Sequence, residues 1–125
     1  MKAQWHLYPN FSKHEFDCSH TGNNEMQHEF MQLLQELRET LNFPLSVSSG
    51  YRDKTHPIEA RKTHSNGEHT QGRCCDIRCL NSATRYKIVS AALRLGFTRI
   101  GIAKTFVHLG IGGKGLPDYV IWDYQ

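Results

Sequence analysis

The spacing of hydrophobic positions changes along the chain, and each spacing predicts a different element. Between residues 24 and 41, large apolar residues recur three or four positions apart, which predicts an amphipathic helix that Pro44 prevents from continuing. A second helix is predicted from Ser82, as its cap, to about Leu95, where Gly96 ends it. The apolar positions of the first helix are Phe30, Leu33, Leu34, Leu37 and Leu41.

The remaining apolar segments are short and read as strands between polar loops. Ser12 to Glu15 forms a capping box that predicts a helical turn, and residues 53–72 predict a long polar loop with one turn near 58–61. Strands are predicted near residues 45–49, 74–80, 99–103, 106–111 and 120–124. This order favours the α+β class: one domain over residues 1–125, with a small mainly antiparallel sheet and packed helices.

Composition and charge narrow the class of protein. The 125 residues are 38% hydrophobic and 22% charged, which argues against disorder, and no apolar run is long enough for a membrane span. The net charge of +3 comes without a basic cluster, so nucleic acid is not an expected partner. No apolar stretch follows Met1, so we expect cytoplasmic synthesis without a signal peptide. Separately, we expect the protein to be a monomer.

Eight histidines and four cysteines are many metal-ligand residues for so short a chain. The cysteines contain no Cys-x-x-Cys pair, and no secretory signal supports oxidation, so we expect buried thiols rather than disulfides or a cysteine zinc site. They are Cys18, Cys74, Cys75 and Cys79.

Strand parity selects the polar residues with the greatest chemical interest. On the strand that begins at Cys74, alternation places Cys75 and Ile77 toward the core and Asp76 on the opposite face, toward the loop that carries His69. His108 is likewise opposite the apolar face of its own strand. Two histidines and one aspartate suit a divalent metal with an open position, and zinc is the first choice. Hydrogen-bonded histidines and an Asp76–Arg78 ion pair are the alternatives.

Four motifs in this order resemble the D-Ala-D-Ala carboxypeptidase-like (VanY-type) zinc peptidases. That family includes bacteriophage endolysins that cut peptidoglycan stem peptides, and it is related in fold to the hedgehog signalling domain. The resemblance extends from about Phe11 to Tyr124. The motifs are Ser49-Gly50-Tyr51-Arg52, His56-Pro57-Ile58-Glu59-Ala60, His69-x-x-Gly72-x-Cys74-x-Asp76-Ile77 and Phe106-Val107-His108.

The resemblance implies an activity and a set of site residues. It implies a zinc metallopeptidase in which His69, Asp76 and His108 bind Zn²⁺ and Arg52 faces the substrate. The implied reaction is hydrolysis of an amide bond in a peptidoglycan stem peptide, by a carboxypeptidase or an endopeptidase. The absence of a signal fits an endolysin-like hydrolase that reaches the cell wall after release.

The sequence also departs from the family pattern. Gly67 stands where the family usually has serine, and Cys74 replaces a small alanine. Thr105 and Gly110 stand at positions where relatives carry an acid. The general base is therefore not identified from the sequence.

Four residues remain candidates for that base, although each also fits an ordinary solvated charge or loop residue. They are Glu68, His64, Asp118 and Asp123. We expect His56 and His64 to support the shape of the loop. The alternative function is a catalytically weak or inactive metal-binding module that docks to the cell wall, such as a phage virion component.

Overall fold

A computed structural model describes residues 1–62 and 66–124. His64, one of the candidate bases, lies outside the described residues. The ordered elements begin with two 3-10 turns, Trp5–Leu7 and Lys13–Phe16. The helices are α1 (His28–Leu41), α2 (Pro57–Ala60) and α3 (Ser82–Leu95). The strands are β1 (Val47–Ser49), β2 (Cys74–Arg78), β3 (Arg99–Ile102), β4 (Phe106–Gly110) and β5 (Val120–Asp123).

The five strands form one sheet in the order β1-β2-β4-β3-β5. Within the described residues, three of the four strand pairings are antiparallel, and β5 alone runs parallel to its neighbour β3. The predicted α+β class with a mainly antiparallel sheet is therefore confirmed. In the described part of the chain, no helix combines the length and the apolar character needed to cross a membrane.

The two faces of the sheet have different chemistry. One face packs against α1 and α3, and its side chains from β2 and β4 belong to the apolar core together with Phe30 and Leu34 of α1 and Ile88 of α3. These strand residues are Cys75, Ile77, Val107 and Leu109. Since neighbouring residues of a strand alternate between faces, Asp76 and His108 lie on the other face, as predicted.

Two predicted helix starts differ from the structure. The first helix begins at His28 rather than near residue 24, because Gln27 pairs in extended conformation with Lys2 and donates its N–H to the Gly72 carbonyl. The cap of α3 is Asn81, not Ser82: its side chain accepts a hydrogen bond from the Thr84 N–H at 2.8 Å. Asparagine and serine are equally good caps, so composition did not separate two adjacent candidates.

Candidate metal centre

The pairing of β2 with β4 brings Asp76 and His108 directly opposite each other. Both side chains are buried. Oδ1 of Asp76 lies 3.0 Å from Nδ1 of His108. Because a carboxylate only accepts, this contact orients the His108 ring with Nδ1 toward Asp76.

His69 reaches the same place from the turn that precedes β2. This turn is closed by a hydrogen bond from the Gln71 N–H to the Gly67 carbonyl. Nδ1 of His69 donates to the Gly50 carbonyl at 2.7 Å, so the lone pair of the ring lies on Nε2, which would be the metal-binding nitrogen. That Nε2 lies 3.6 Å from Oδ2 of Asp76. Each of the two histidines therefore presents one nitrogen to the same carboxylate.

Arg52 lies beside this cluster and is held at three points of its guanidinium. Nη2 is 3.1 Å from Nε2 of His69 and 3.4 Å from Oδ2 of Asp76. Nη1 donates to Glu59 at 3.0 Å, and Nε donates to the Ser49 hydroxyl at 3.1 Å. Arg52 therefore lies beside His69 and Asp76, and its contact with a substrate stays a prediction.

Glu68 occupies the outer side of His108. Its Oε1 lies 2.6 Å from Nε2 of His108 and accepts from Nε of Arg99 at 2.9 Å. Its Oε2 accepts from the Gly112 N–H at 2.9 Å. The carboxyl group is 4% exposed, so these bonds replace nearly all of its hydration. This candidate base is fully engaged in holding its neighbours.

The contacts shift the acid–base properties of the cluster. Burial alone raises the pKa of Asp76 and of Glu68. The contact with His108 outweighs it and lowers both pKa values, together with His69 at Asp76 and with the Gly112 N–H and Arg99 at Glu68. Burial lowers the pKa of His108, and the two carboxylates more than reverse this and raise that pKa.

Cys74 is a further donor on the site-facing side of β2. One donor atom each of His69, Cys74 and His108 lie within 4.8 Å of one another. Burial first, and then the negative charges of Glu68 and Asp76, raise the pKa of the Cys74 thiol well above its usual value. Two imidazoles with a carboxylate or a thiolate are donors that zinc accepts, so the cluster fits this metal.

The other predicted residues lie outside the cluster. Asp118 is exposed and accepts from the Thr98 hydroxyl at 2.8 Å. Asp123 is exposed and alternates along β5 with Trp122, so the two side chains take opposite faces. His56 caps α2 by accepting from the Ile58 N–H at 3.1 Å, which supports the expected role in loop shape.

All four cysteines are buried and unpaired, as expected.

Trp122 borders the site, although the sequence pattern does not indicate a role for it. Its ring centroid lies 5.1 Å from that of His108, and the Arg99 guanidinium lies 5.1 Å above it. Trp122 and Arg99 also line a cleft of about 660 Å³ together with Asn66 and Lys114. Strand alternation places Trp122 on the same face as Tyr124. That alternation alone did not indicate that Trp122 would lie next to His108.

Two histidines and an aspartate converge at one face of the sheet of this α+β fold, and such donors suit a divalent metal ion. The chain matches the family model described as Peptidase M15 over residues 9–110, and it belongs to that family. The match includes His69, Asp76 and His108 and ends before β5. No curated protein matches the chain. Family membership supports a zinc-dependent peptidase activity in general, with a peptide substrate.

Proposed function

We propose that this protein is a zinc peptidase that hydrolyses an amide bond in peptidoglycan stem peptides, in the manner of an endolysin. The observation that carries the proposal is the convergence of His69 Nε2 and His108 Nδ1 on the carboxylate of Asp76. Each histidine is fixed through its other nitrogen, as is usual for metal-binding histidines. His69, Asp76 and His108 are the proposed ligands.

Asp76 is a better third ligand than Cys74 on electrostatic grounds. A thiol binds zinc as a thiolate, and the burial and neighbouring carboxylates of Cys74 disfavour that form. Asp76 is held as a carboxylate, with its two oxygens directed at the two histidine nitrogens. The proposed site thus has three protein ligands, which leaves a position for substrate chemistry.

Arg52 is the proposed substrate-binding residue. Its guanidinium is 12% exposed, so it is oriented by its neighbours and still meets the solvent at the edge of the cluster. A fixed guanidinium binds a carboxylate or a developing oxyanion through paired hydrogen bonds. Stem peptides carry carboxylates near their amide bonds, which makes them suitable partners.

The cleft beside His108 supports the same class of substrate. Lys114 brings positive charge to its lining, where the charge of Arg99 is paired with Glu68, and Trp122 offers an aromatic surface. An acidic peptide satisfies both features. Zinc, when bound, supplies Lewis acidity that polarises the amide carbonyl. We propose that the protein acts as a monomer on the cell wall after release from the cytoplasm.

A second candidate function, a docking module, follows from the hydrogen bonds that engage the carboxylates near the cluster. Near the cluster, within residues 1–62 and 66–124, the buried carboxylates of Asp76, Glu68 and Glu59 are all bonded to cationic or histidine side chains. Thr105 and Gly110 supply no acid. General base catalysis contributes about 10²–10⁴-fold to such reactions, so its lack favours a metal-dependent docking module with weak activity.

The proposal is tested by zinc content and by hydrolysis of purified peptidoglycan. We expect one zinc ion per chain, a fall in the turbidity of the peptidoglycan suspension, and loss of both in His69→Ala. The matched control is His6→Ala, which removes an exposed histidine from the first 3-10 turn and is expected to behave as wild type. Mass spectrometry of the products identifies the bond cut among D-Ala-D-Ala, L-Ala-D-Glu and cross-bridge bonds.

The outcomes separate the two functions. Zinc binding with hydrolysis supports the peptidase. Zinc binding with retention on peptidoglycan and no released peptide supports the docking module. A chain that takes up no zinc on titration contradicts both.

A further inference from the structure

Glu68 is a buried carboxylate whose position is set by the main chain. The turn that carries it also places His69, and the Glu68 carbonyl accepts a hydrogen bond from the Arg73 N–H at 3.2 Å. The side chain crosses from this turn to β4, where its two oxygens meet His108, Arg99 and the Gly112 N–H. One acidic residue therefore connects the turn that supplies one histidine to the strand that supplies the other.

Gly110 is the residue that makes room for this carboxylate. A Cβ atom placed on Gly110 would meet the Glu68 carboxyl oxygens, with only 2.7 Å to Oε1 and less to Oε2. Any larger residue at position 110 and the present Glu68 side chain therefore exclude each other. A side chain from position 110 would project into the volume that the Glu68 carboxylate now fills. The absence of a side chain at position 110 thus leaves the space that the Glu68 carboxylate occupies.

We propose that Glu68 is the positioning residue of His108: its carboxylate accepts a hydrogen bond from the Nε2–H and fixes the ring, so that Nδ1 is the nitrogen that would bind a metal ion. The inference rests on the proposed function in one respect, namely that His108 is a ligand. A carboxylate bonded to the outer nitrogen of a metal-binding histidine fixes the tautomer and raises the basicity of the ligand.

Arg99 is the reason that the Glu68 charge is tolerated in this position. A buried carboxylate is costly unless it is paired and hydrogen-bonded. Arg99 is 13% exposed and donates at 2.9 Å, and it packs on Trp122, so it cannot move freely away. The pair sets the orientation of both the His108 ring and the wall of the cleft.

The first test compares the zinc affinity of wild type, Glu68→Ala and Glu36→Gln, by competition with a chromophoric chelator. Loss of a partner of this kind lowers metal affinity by about 10- to 100-fold, and we expect this for Glu68→Ala. Glu36 is exposed on α1, so its variant removes the same charge without touching the site and should bind as wild type.

The second test asks whether the position of the carboxylate matters, rather than residue 68 itself. In Glu68→Ala/Gly110→Asp, an acid from β4 enters the vacated volume, and we expect recovery of most of the zinc affinity. Nuclear magnetic resonance of the zinc-loaded proteins gives an independent readout. The Nε2 proton of His108 should be protected from exchange in wild type and in the double variant, and should exchange rapidly in Glu68→Ala.

The outcomes distinguish this inference from the proposed function. If wild type binds no zinc, the proposed site is wrong. If wild type binds zinc and folded Glu68→Ala binds it equally well, the positioning role is overturned and the proposed function stands. If Glu68→Ala does not fold, Glu68→Met replaces it, since methionine has a similar size and no carboxylate, and an unchanged affinity there overturns the inference. A folded double variant no better than Glu68→Ala contradicts the exchange of positions.

Discussion

The two histidines of the candidate metal centre are fixed in different ways. On the loop side, Nδ1 of His69 donates to a main-chain carbonyl, that of Gly50. On the strand side, Nε2 of His108 contacts a side-chain carboxylate, that of Glu68, which Arg99 supports in turn. The loop side thus depends on backbone geometry, and the strand side depends on particular side chains.

This difference determines which substitutions the site tolerates. The Gly50 carbonyl belongs to the main chain, so no change of another side chain removes this acceptor while the loop keeps its path. A side chain at position 50 would itself disturb that path, because its Cβ would lie 2.6 Å from the Phe16 Cα. The partner of His108 is lost with a single substitution at position 68. The strand side is therefore the part of the site that mutation can weaken without unfolding the domain.

Removal of either histidine should weaken zinc binding severely, whichever side of the site it comes from. Loss of a residue that only positions a ligand lowers metal affinity by up to about 100-fold. We expect His69→Ala and His108→Ala, which remove ligands, each to lower zinc affinity by more than this. Equilibrium dialysis against zinc measures this. A histidine variant that keeps wild-type affinity removes that residue from the ligand set.

Asp76 and Cys74 distinguish a carboxylate site from a thiolate site. We expect Asp76→Ala to lose zinc affinity by more than about 100-fold, as a ligand does, and Cys74→Ala to change it by less than about tenfold. Cobalt-substituted wild type should lack the charge-transfer absorption of a thiolate ligand. The reverse order of the two variants would make Cys74 the third ligand.

Substitution of Arg52 tests the proposed substrate contact without removing a proposed metal ligand. Arg52→Lys keeps the charge but loses the paired geometry, so one charge-assisted hydrogen bond is lost. We expect kcat/KM on peptidoglycan fragments to fall by about 10- to 100-fold, which corresponds to about 1.5–3 kcal/mol, with zinc affinity nearly unchanged. Equal kcat/KM in the two proteins would place Arg52 outside the substrate site.

Asp53 measures how firmly the loop side is held. Hydrogen bonds from Thr21, Tyr51 and Asn23 keep the pKa of Asp53 below its usual value, although burial opposes them. We expect Asp53→Ala to lower the free energy of unfolding by about 1 kcal/mol, since solvent weakens bonds to a half-exposed group.

The pH dependence of that loss follows from the direction of the shift. Because the folded pKa is lowered, the contribution of Asp53 is present above its unfolded pKa of about 3.9 and is lost as pH falls through the folded value. Thermal unfolding at pH 6 and below pH 3 should show the variant approaching wild type in acid. Asp123→Ala, at an exposed position of β5, is the control and should change stability by less than about 0.5 kcal/mol.

The sequence predicted the fold class and the placement of the central polar residues because strand parity is a local property. Alternation alone placed Asp76 and His108 away from the apolar core, and the register of β2 with β4 then made them neighbours. The resemblance implied the role of Arg52, and His69 was selected because it lies in the loop before β2. Their contact, with Nη2 at 3.1 Å from Nε2, depends on the path of the loop.

The role of Glu68 could not be predicted in the same way. Adjacent residues in a turn have no fixed relation between their side-chain directions, so the position beside His69 did not indicate a contact with His108. The useful signal was the pair of Glu68 and Gly110, which are far apart in the sequence and become related only when β4 joins β2. Trp122 was missed for a similar reason, because β5 reaches the site only by pairing with β3.

X-ray absorption at the zinc edge of the purified protein tests the proposed metal centre most directly. We expect two imidazole nitrogens and carboxylate oxygen at about 2.0–2.2 Å, from His69, His108 and Asp76, with no sulfur shell. A sulfur contribution at about 2.3 Å would assign Cys74 instead of Asp76 and contradict the proposed ligand set. A purified protein that retains no zinc after saturation and desalting would contradict the site as a whole.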